Sequence, residues 1–242
     1  MKIVSNADKF LTTYNELDSH MRKALGVDLY KNHSYLIKEM EKRNRMFKQY
    51  GYDLRAFAEL RNAIVHNPDE KNAKPIAEPH DYIVKKYEEM KNKVINPPVA
   101  LETIAIKAHD IFTTSLEANA LDVMKVMNEK TYTHVPVIDS KKLIGVFSEN
   151  TIFSYLVENH VIATDEDIPI SEFEDLIPVD RHASEYFEFV PRDALVIDIE
   201  EMFQNGLKEN KRISVIFVTE TGKLSESLLG LITPWDLAGY QR

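Results

Sequence analysis

A pattern that occurs twice in the second half of the chain constrains the fold more than any other feature. A helical stretch, two short β-branched strands and a second helical stretch appear in this order as "ALDVMKVMNE", "HVPVID", "KLIGVFS" and "NTIFSYLVEN". The same order returns as "ALVIDIEEMFQNG", "KRISVIFVTE", "SLLGLIT" and "PWDLAGY". The repeat predicts two similar units that pack together, because one small unit would leave a hydrophobic face exposed. Equivalent positions lie 85 residues apart: Gly145 and Gly230, Ser148 and Thr233, Thr151 and Asp236.

The first half of the chain has a helical period instead. Its first helix is predicted to begin after the N-cap Ser5 and to end at Gly26, with apolar residues at spacings of three and four. Further helices are predicted at about 34–49, 53–66 and 79–94, with a break at "YGYD". Four helices joined by short and medium loops favour a small antiparallel bundle. The apolar face of the first helix is formed by Phe10, Tyr14, Leu17, Met21 and Leu25.

These two patterns predict an α+β protein with two domains. An all-α bundle covers residues 1–98, and the repeat covers residues 99–242. The first repeat unit is expected at about 99–160 and the second at about 182–242. The segment between them, 161–181, is acidic and is predicted to be a partly helical connection.

Composition separates the two halves and limits the chemistry. Residues 1–98 carry 18 Lys and Arg against 14 Asp and Glu, whereas residues 99–242 carry 12 against 25. A mildly basic half is able to meet an anion such as RNA, and an acidic half is not, unless it has a focused pocket. The chain has no cysteine, which excludes disulfides, thiolate zinc sites and cysteine nucleophiles. We expect a cytoplasmic location without a membrane partner, because no apolar run approaches the roughly 20 residues of a span.

The repeat resembles a pair of CBS (cystathionine β-synthase type) motifs. The resemblance rests on the helix-strand-strand-helix order and on the signature Gly–apolar–apolar–Ser/Thr–x–x–Asp. The second copy, "GLITPWD", matches this signature fully, whereas the first copy, "GVFSENT", has Thr151 in place of the acid. The resemblance implies a regulatory adenine nucleotide (AMP, ADP or ATP) and no required cofactor.

The resemblance also implies site residues. Thr233 would hold a phosphate, Asp236 would accept the ribose hydroxyls, and Trp235 would flank the ligand. The adenine would pack against apolar strand residues, with Leu231, Ile213 and Phe189 as candidates. Ser148 and Thr151 would form a weaker second site that lacks the carboxylate. The same residues, "TPWD", also have the pattern of a helix capping box, which is the alternative to ligand binding.

The stretch "LRNAIVHNPD" of the first half is similar to the Arg–polar–x–x–x–His signature of HEPN domains, which are small helical bundles that dimerise and are often ribonucleases. The resemblance implies a homodimer with paired sites. His66 would act as general acid or base, Arg61 would neutralise the phosphate, and Asn62 would orient His66. No metal is required, and the other histidines lack metal-ligand spacing. In the alternative interpretation, Asn62 and His66 only cap the end of the helix.

These features together predict a nucleotide-sensing CBS protein whose helical domain is a candidate metal-independent ribonuclease. Whether the chain is an enzyme stays open. In the second hypothesis the protein is a non-enzymatic nucleotide sensor, and the bundle is a surface for dimerisation or for an adaptor.

Overall fold

The computed structural model describes residues 4–65, 75–160, 168–182 and 184–240. The chain divides into two compact units, residues 1–98 and residues 99–242. The first unit is helical and the second combines helices with strands, so the predicted α+β class is confirmed. In the part of the chain that is described, no helix has both the length and the apolar character needed to cross a bilayer.

Residues 4–65 and 75–98 of the first unit form four helices. They are α1 (Asn6–Leu25), α2 (His33–Glu41), α3 (Arg45–Val65) and α4 (Asp81–Ile95). The predicted ends of α1 are confirmed, because the Ser5 side chain accepts a hydrogen bond from the Asp8 N–H and Gly26 is left-handed at φ 65°. The buried side chains shared by the helices include Phe10, Leu17, Leu36, Phe47, Leu54, Ile64 and Tyr87.

The prediction of helices at 34–49 and 53–66 with a break at "YGYD" was wrong. The break lies earlier, between α2 and α3, where the side chain of Asn44 accepts hydrogen bonds from the N–H groups of Met46 and Phe47. Gly51 lies inside α3 and is buried. A Cβ at this position would lie 1.7 Å from Oε1 of Glu41, so this glycine permits a close approach of a side chain and does not end a helix.

The second unit contains the elements of the repeat. Two short elements come first, α5 (Ala100–Thr103) and β1 (Ile106–Lys107). The first copy is α6 (Ala120–Lys130), β2 (His134–Asp139), β3 (Lys142–Ser148) and α7 (Glu149–Glu158). The second is β4 (Tyr186–Pro191), α8 (Val196–Lys208), β5 (Ile213–Thr219), β6 (Gly230–Ile232) and α9 (Pro234–Tyr240).

The strands described in the second unit form two sheets. β2 and β3 make an antiparallel hairpin, whose two turn residues, Ser140 and Lys141, have φ values of 49° and 67°. The other sheet has the order β1-β6-β5-β4, in which β4 is parallel to β5 and the remaining pairs are antiparallel. The first copy has a trace of the same parallel pairing in the bridge between Thr114 and Val137. The two copies therefore share one topology, although the sequence did not predict β4.

Gly145 and Gly230 have the same role in the two copies. A Cβ on Gly145 would lie 2.3 Å from the backbone oxygen of Ile177, and one on Gly230 would lie 2.9 Å from the backbone oxygen of Ile106. Each glycine thus allows another part of the chain to pack directly on a strand. The repeated glycine is explained by this close approach.

Candidate functional site

A cavity of about 340 Å³ lies in the second unit. Its walls come from β1 and the residues after it, from the turn between α6 and β2, from the strands β5 and β6, and from the start of α9. Hydrophobic side chains form most of the wall, and hydroxyl and charged groups stand among them. The lining residues are Ile106, Asp110, Ile111, Phe112, Lys130, Thr131, Tyr132, Thr133, His134, Pro136, Val215, Phe217, Leu231, Thr233 and Trp235.

Thr233 lines this cavity and is bonded to Asp236. The N–H and the Oγ1 hydroxyl of Thr233 donate to Asp236 Oδ2 over 2.7 and 2.6 Å. Both side chains are half-buried. One half of the capping box that the sequence offered as an alternative is therefore present, because the Asp236 carboxylate accepts from the N–H of Thr233. The Thr233 hydroxyl donates to the same carboxylate and does not cap the N–H of Asp236. This bond holds the hydroxyl of the lining residue Thr233 against the carboxylate of Asp236, which is not itself among the lining residues.

The other residues predicted for the nucleotide site are divided between the cavity and the core. Leu231 and Trp235 line the cavity, and Trp235 is 84% exposed. Ile213 and Phe189 are not among the lining residues. Ile213 packs against the core formed by α8 and β5, and the ring of Phe189 lies 5.4 Å from that of Phe217. The aromatic ring that the strands present to the cavity is Phe217.

The start of α7 in the first copy has a different arrangement, centred on Glu185. Glu185 Oε2 accepts a hydrogen bond from Ser148 Oγ over 2.8 Å and lies 3.0 Å from His182 Nδ1. Glu185 Oε1 lies 2.9 Å from His134 Nε2. Thr151 takes part through its hydroxyl, which lies 3.2 Å from both the N–H and the Oγ of Ser148. The predicted weaker site, Ser148 and Thr151, thus contains a carboxylate from a distant part of the chain.

This cluster is almost closed to solvent. Ser148 is 0% exposed, Thr151 is 2% exposed and Glu185 is 7% exposed. Burial alone would raise the pKa of Glu185, but hydrogen bonds from His134, His182 and Ser148 hold this pKa well below its usual range. The carboxylate is therefore ionised and fully engaged inside the protein.

In the helical unit, Arg61 and Asn62 lie near the end of α3. The guanidinium of Arg61 lies 5.1 Å from the centre of the Tyr14 ring, and its Nη1 donates to Asn62 Oδ1 over 3.3 Å. Asn62 is exposed. His66, the third predicted catalytic residue, lies outside the described residues. The structure thus locates two of the three residues and shows that Tyr14 positions one of them.

A polar cluster that the sequence did not predict lies next to Arg61 and begins at Tyr14. Tyr14 stacks on the His33 ring with centres 4.0 Å apart, and His33 Nδ1 lies 2.8 Å from Asp18 Oδ1. Asp18 also accepts from Arg22 Nε over 2.5 Å. Burial lowers the pKa of His33, and Asp18 opposes that shift only in part. The spacing of Tyr14, Asp18 and Arg22 on one helix face is the only signal in the sequence that pointed to this cluster.

Among residues 4–65, 75–160, 168–182 and 184–240, no group of three His, Asp or Glu side chains is arranged to hold a metal ion. The ionic side chains on the wall of the cavity include Lys130 and Asp110. The cavity therefore combines an apolar wall with groups of both charges.

Comparison with known proteins identifies part of the second unit. Residues 104–158 match the CBS domain family. No curated protein matches the sequence.

Similar solved structures include CBSX2 in complex with AMP, which is 13% identical, with a TM-score of 0.42 over 60% of this chain and 96% of the other. A hemolysin-like protein containing a CBS domain from Oenococcus oeni is 18% identical, with a TM-score of 0.41 over 60% and 90% of the two chains. An uncharacterised protein of Pyrococcus horikoshii is 14% identical, with a TM-score of 0.42 over 60% and 92%. The part of this chain that is similar to a known family is residues 104–158, which match the CBS domain.

Proposed function

We propose that residues 99–242 bind one adenine nucleotide in the cavity that Thr233 lines. The observation that carries this proposal is the bonded pair of Thr233 and Asp236 beside an apolar cavity. The CBS domain match at residues 104–158 supports it independently. A cavity of about 340 Å³ is within the range of sites for small ligands, roughly 300–1,000 Å³.

The chemistry of the cavity suggests an orientation for the ligand. The adenine would lie against Ile111, Phe217 and Leu231, because aromatic and aliphatic side chains favour a flat base. Asp236 uses Oδ2 for both bonds to Thr233, so Oδ1 is the oxygen that a ribose hydroxyl would reach. The phosphate would lie toward Lys130, whose positive charge favours an anion.

A calorimetric titration with AMP, ADP and ATP, and with GMP as the control base, tests this proposal. We expect saturable binding of at least one adenine nucleotide. GMP should bind more weakly, because the additional polar groups on the edge of guanine would meet apolar side chains of the cavity wall. No binding of any adenine nucleotide would contradict the proposal. Trp235, the only tryptophan of the chain, lines the cavity, so a change in its fluorescence should follow the same titration.

For the helical unit, we propose metal-independent RNA cleavage by Arg61, Asn62 and His66 in a homodimer, under the control of the bound nucleotide. The support is the sequence motif, together with the position of Arg61, which Tyr14 orients through a cation–π contact. Such control requires that the nucleotide bind one arrangement of the dimer more tightly than another. The other candidate function is a sensor whose helical unit is an adaptor surface.

RNA cleavage in a buffer with a chelator distinguishes these two functions. The samples are the wild type, His66→Ala and the control His80→Ala, each with and without AMP, ADP or ATP. His80 is a suitable control because it is an exposed histidine of the same unit and makes no side-chain hydrogen bond as the N-cap of α4. Cleavage by the wild type and His80→Ala but not by His66→Ala would support the ribonuclease. Absence of cleavage by the wild type would favour the adaptor.

A further inference from the structure

We propose that the start of α7 is a binding site for a small carboxylate and that its ligand is the chain's own Glu185. Three donor groups from different parts of the chain meet there: Ser148 Oγ, His134 Nε2 and His182 Nδ1. Ser148 is 0% exposed, and the side chain of His182 is 2% exposed. This is a built site for an anion, because each donor is held in place by further bonds.

The bonds that hold the donors follow from the local geometry. Thr133 Oγ1 lies 2.7 Å from His134 Nδ1, which orients that ring. His182 Nε2 lies 3.2 Å from the backbone oxygen of Ile177, and Nδ1 lies 3.0 Å from Glu185 Oε2. Both ring nitrogens of His182 therefore face oxygen atoms that only accept hydrogen bonds. Contacts at the opposite nitrogen of each ring therefore hold both imidazoles with one nitrogen facing the carboxylate of Glu185.

The second repeat has an equivalent bond between a hydroxyl and a carboxylate at the position that corresponds to Ser148. Thr233, the equivalent of Ser148, donates to the carboxylate of Asp236 on its own helix. Thr151 stands where that acid would be in the first copy. Glu185 supplies the missing carboxylate from the segment just before β4, at a separation of 37 residues from Ser148.

The position of Glu185 has two consequences. Through its hydrogen bond with Ser148, Glu185 connects the beginning of the second copy to the start of α7 in the first copy. Its carboxylate also occupies the position that a ligand of the first copy would take. The ring of Phe187 packs edge-on against both imidazoles, with ring centres 5.9 Å from His134 and 4.8 Å from His182. The conclusion that the first copy is closed to a nucleotide rests on the proposed function, whereas the carboxylate site itself does not.

Chemical rescue of the full chain tests the site without any nucleotide. Glu185→Ala should melt at a lower temperature than the wild type, because the three donors lose their acceptor. Sodium formate should raise the melting temperature of Glu185→Ala in a saturable way, and more than sodium chloride at equal ionic strength, since a ligand that binds the native state stabilises it. Formate should leave the wild type unchanged relative to chloride.

Glu226→Ala is the matched control. Glu226 accepts hydrogen bonds from the N–H and the hydroxyl of Thr221, both over 2.6 Å, but it does so on the loop before β6 and leaves no buried site when it is removed. Formate should therefore have the same effect as chloride on this variant. A formate effect on Glu185→Ala that is no larger than that on Glu226→Ala would overturn the proposal.

Glu185→Gln keeps the proposal testable if Glu185→Ala does not fold. The pKa of Glu185 is depressed in the folded state, so its contribution to stability is present above its usual pKa of about 4.5 and is lost as the pH falls below that value. The titratable groups in contact with it, His134 and His182, remain in the variant. The difference in unfolding free energy between wild type and Glu185→Gln should shrink in acid. A difference that does not depend on pH would contradict the site.

Discussion

Ser148 Oγ and Glu185 Oε2 lie 2.8 Å apart, although 37 positions separate the two residues in the sequence. At the equivalent point of the second repeat, Thr233 Oγ1 lies 2.6 Å from Asp236, three positions further on. The repeats therefore share a bond between a hydroxyl and a carboxylate but obtain the acid from different parts of the chain. In the second repeat the pair lies beside an open cavity, and in the first it is buried.

This asymmetry predicts one nucleotide per chain. Calorimetry of the wild type should give a stoichiometry close to one, and Ser148→Ala should not change the affinity, because Ser148 is 0% exposed and bonded to Glu185. Thr233→Val should weaken binding, since it removes the hydroxyl on the cavity wall. Two equivalent sites per chain, or a loss of affinity in Ser148→Ala, would contradict the assignment.

Gly145→Ala should destabilise the second unit by about 1–3 kcal/mol or more, since the new Cβ would lie 2.3 Å from the Ile177 backbone oxygen. Gly239→Ala is the control: a Cβ added there would have nothing within 4 Å, and alanine favours a helix over glycine by roughly 0.5–1 kcal/mol. Urea unfolding followed by circular dichroism measures both. Equal stability of the two variants would show that the close approach at Gly145 is unimportant.

The buried His33 should make the stability of the helical unit depend on pH. Its pKa is lowered in the folded state, mainly by burial, so the folded state resists a proton that the unfolded state binds at about pH 6.5. Stability should therefore be complete above pH 6.5 and fall as the pH decreases below it. His33→Phe keeps a ring against Tyr14 and should lose part of this dependence. Urea unfolding at neutral and mildly acidic pH compares the two proteins, and identical pH slopes would refute the prediction.

The local parts of the fold were predictable from the sequence. The cap at Ser5 and the repeated strands and helices depend on neighbouring residues, and the structure has all of them. The predicted break at "YGYD" was wrong because Gly51 is buried inside the continuous helix α3, and burial of a glycine by packing is not revealed by a local pattern.

In the candidate sites, too, residues with a local sequence signature were predictable, and residues brought together only by folding were not. Thr233, Leu231 and Trp235 carry a local signature and line the cavity. Glu185 carries none, because its partner His134 is 51 positions away in the sequence. The two histidines at this site were set aside because their spacing does not suit a metal, and their role follows only from folding. Phe217 was also missed, since either face of a buried strand is apolar.

Nucleotide binding by Asp236→Ala and Asp198→Ala tests the central claim most directly. Each aspartate accepts a hydrogen bond from the backbone N–H at the start of its helix, Thr233 for α9 and Leu195 for α8, so both variants lose a cap. Asp236 is bonded to a residue of the cavity wall, whereas α8 contributes no residue to that wall. We predict that Asp236→Ala weakens binding of the adenine nucleotide by about tenfold or more, as expected for a hydrogen bond to a charged group, while Asp198→Ala binds as the wild type does. Equal affinities of Asp236→Ala and Asp198→Ala would contradict the account.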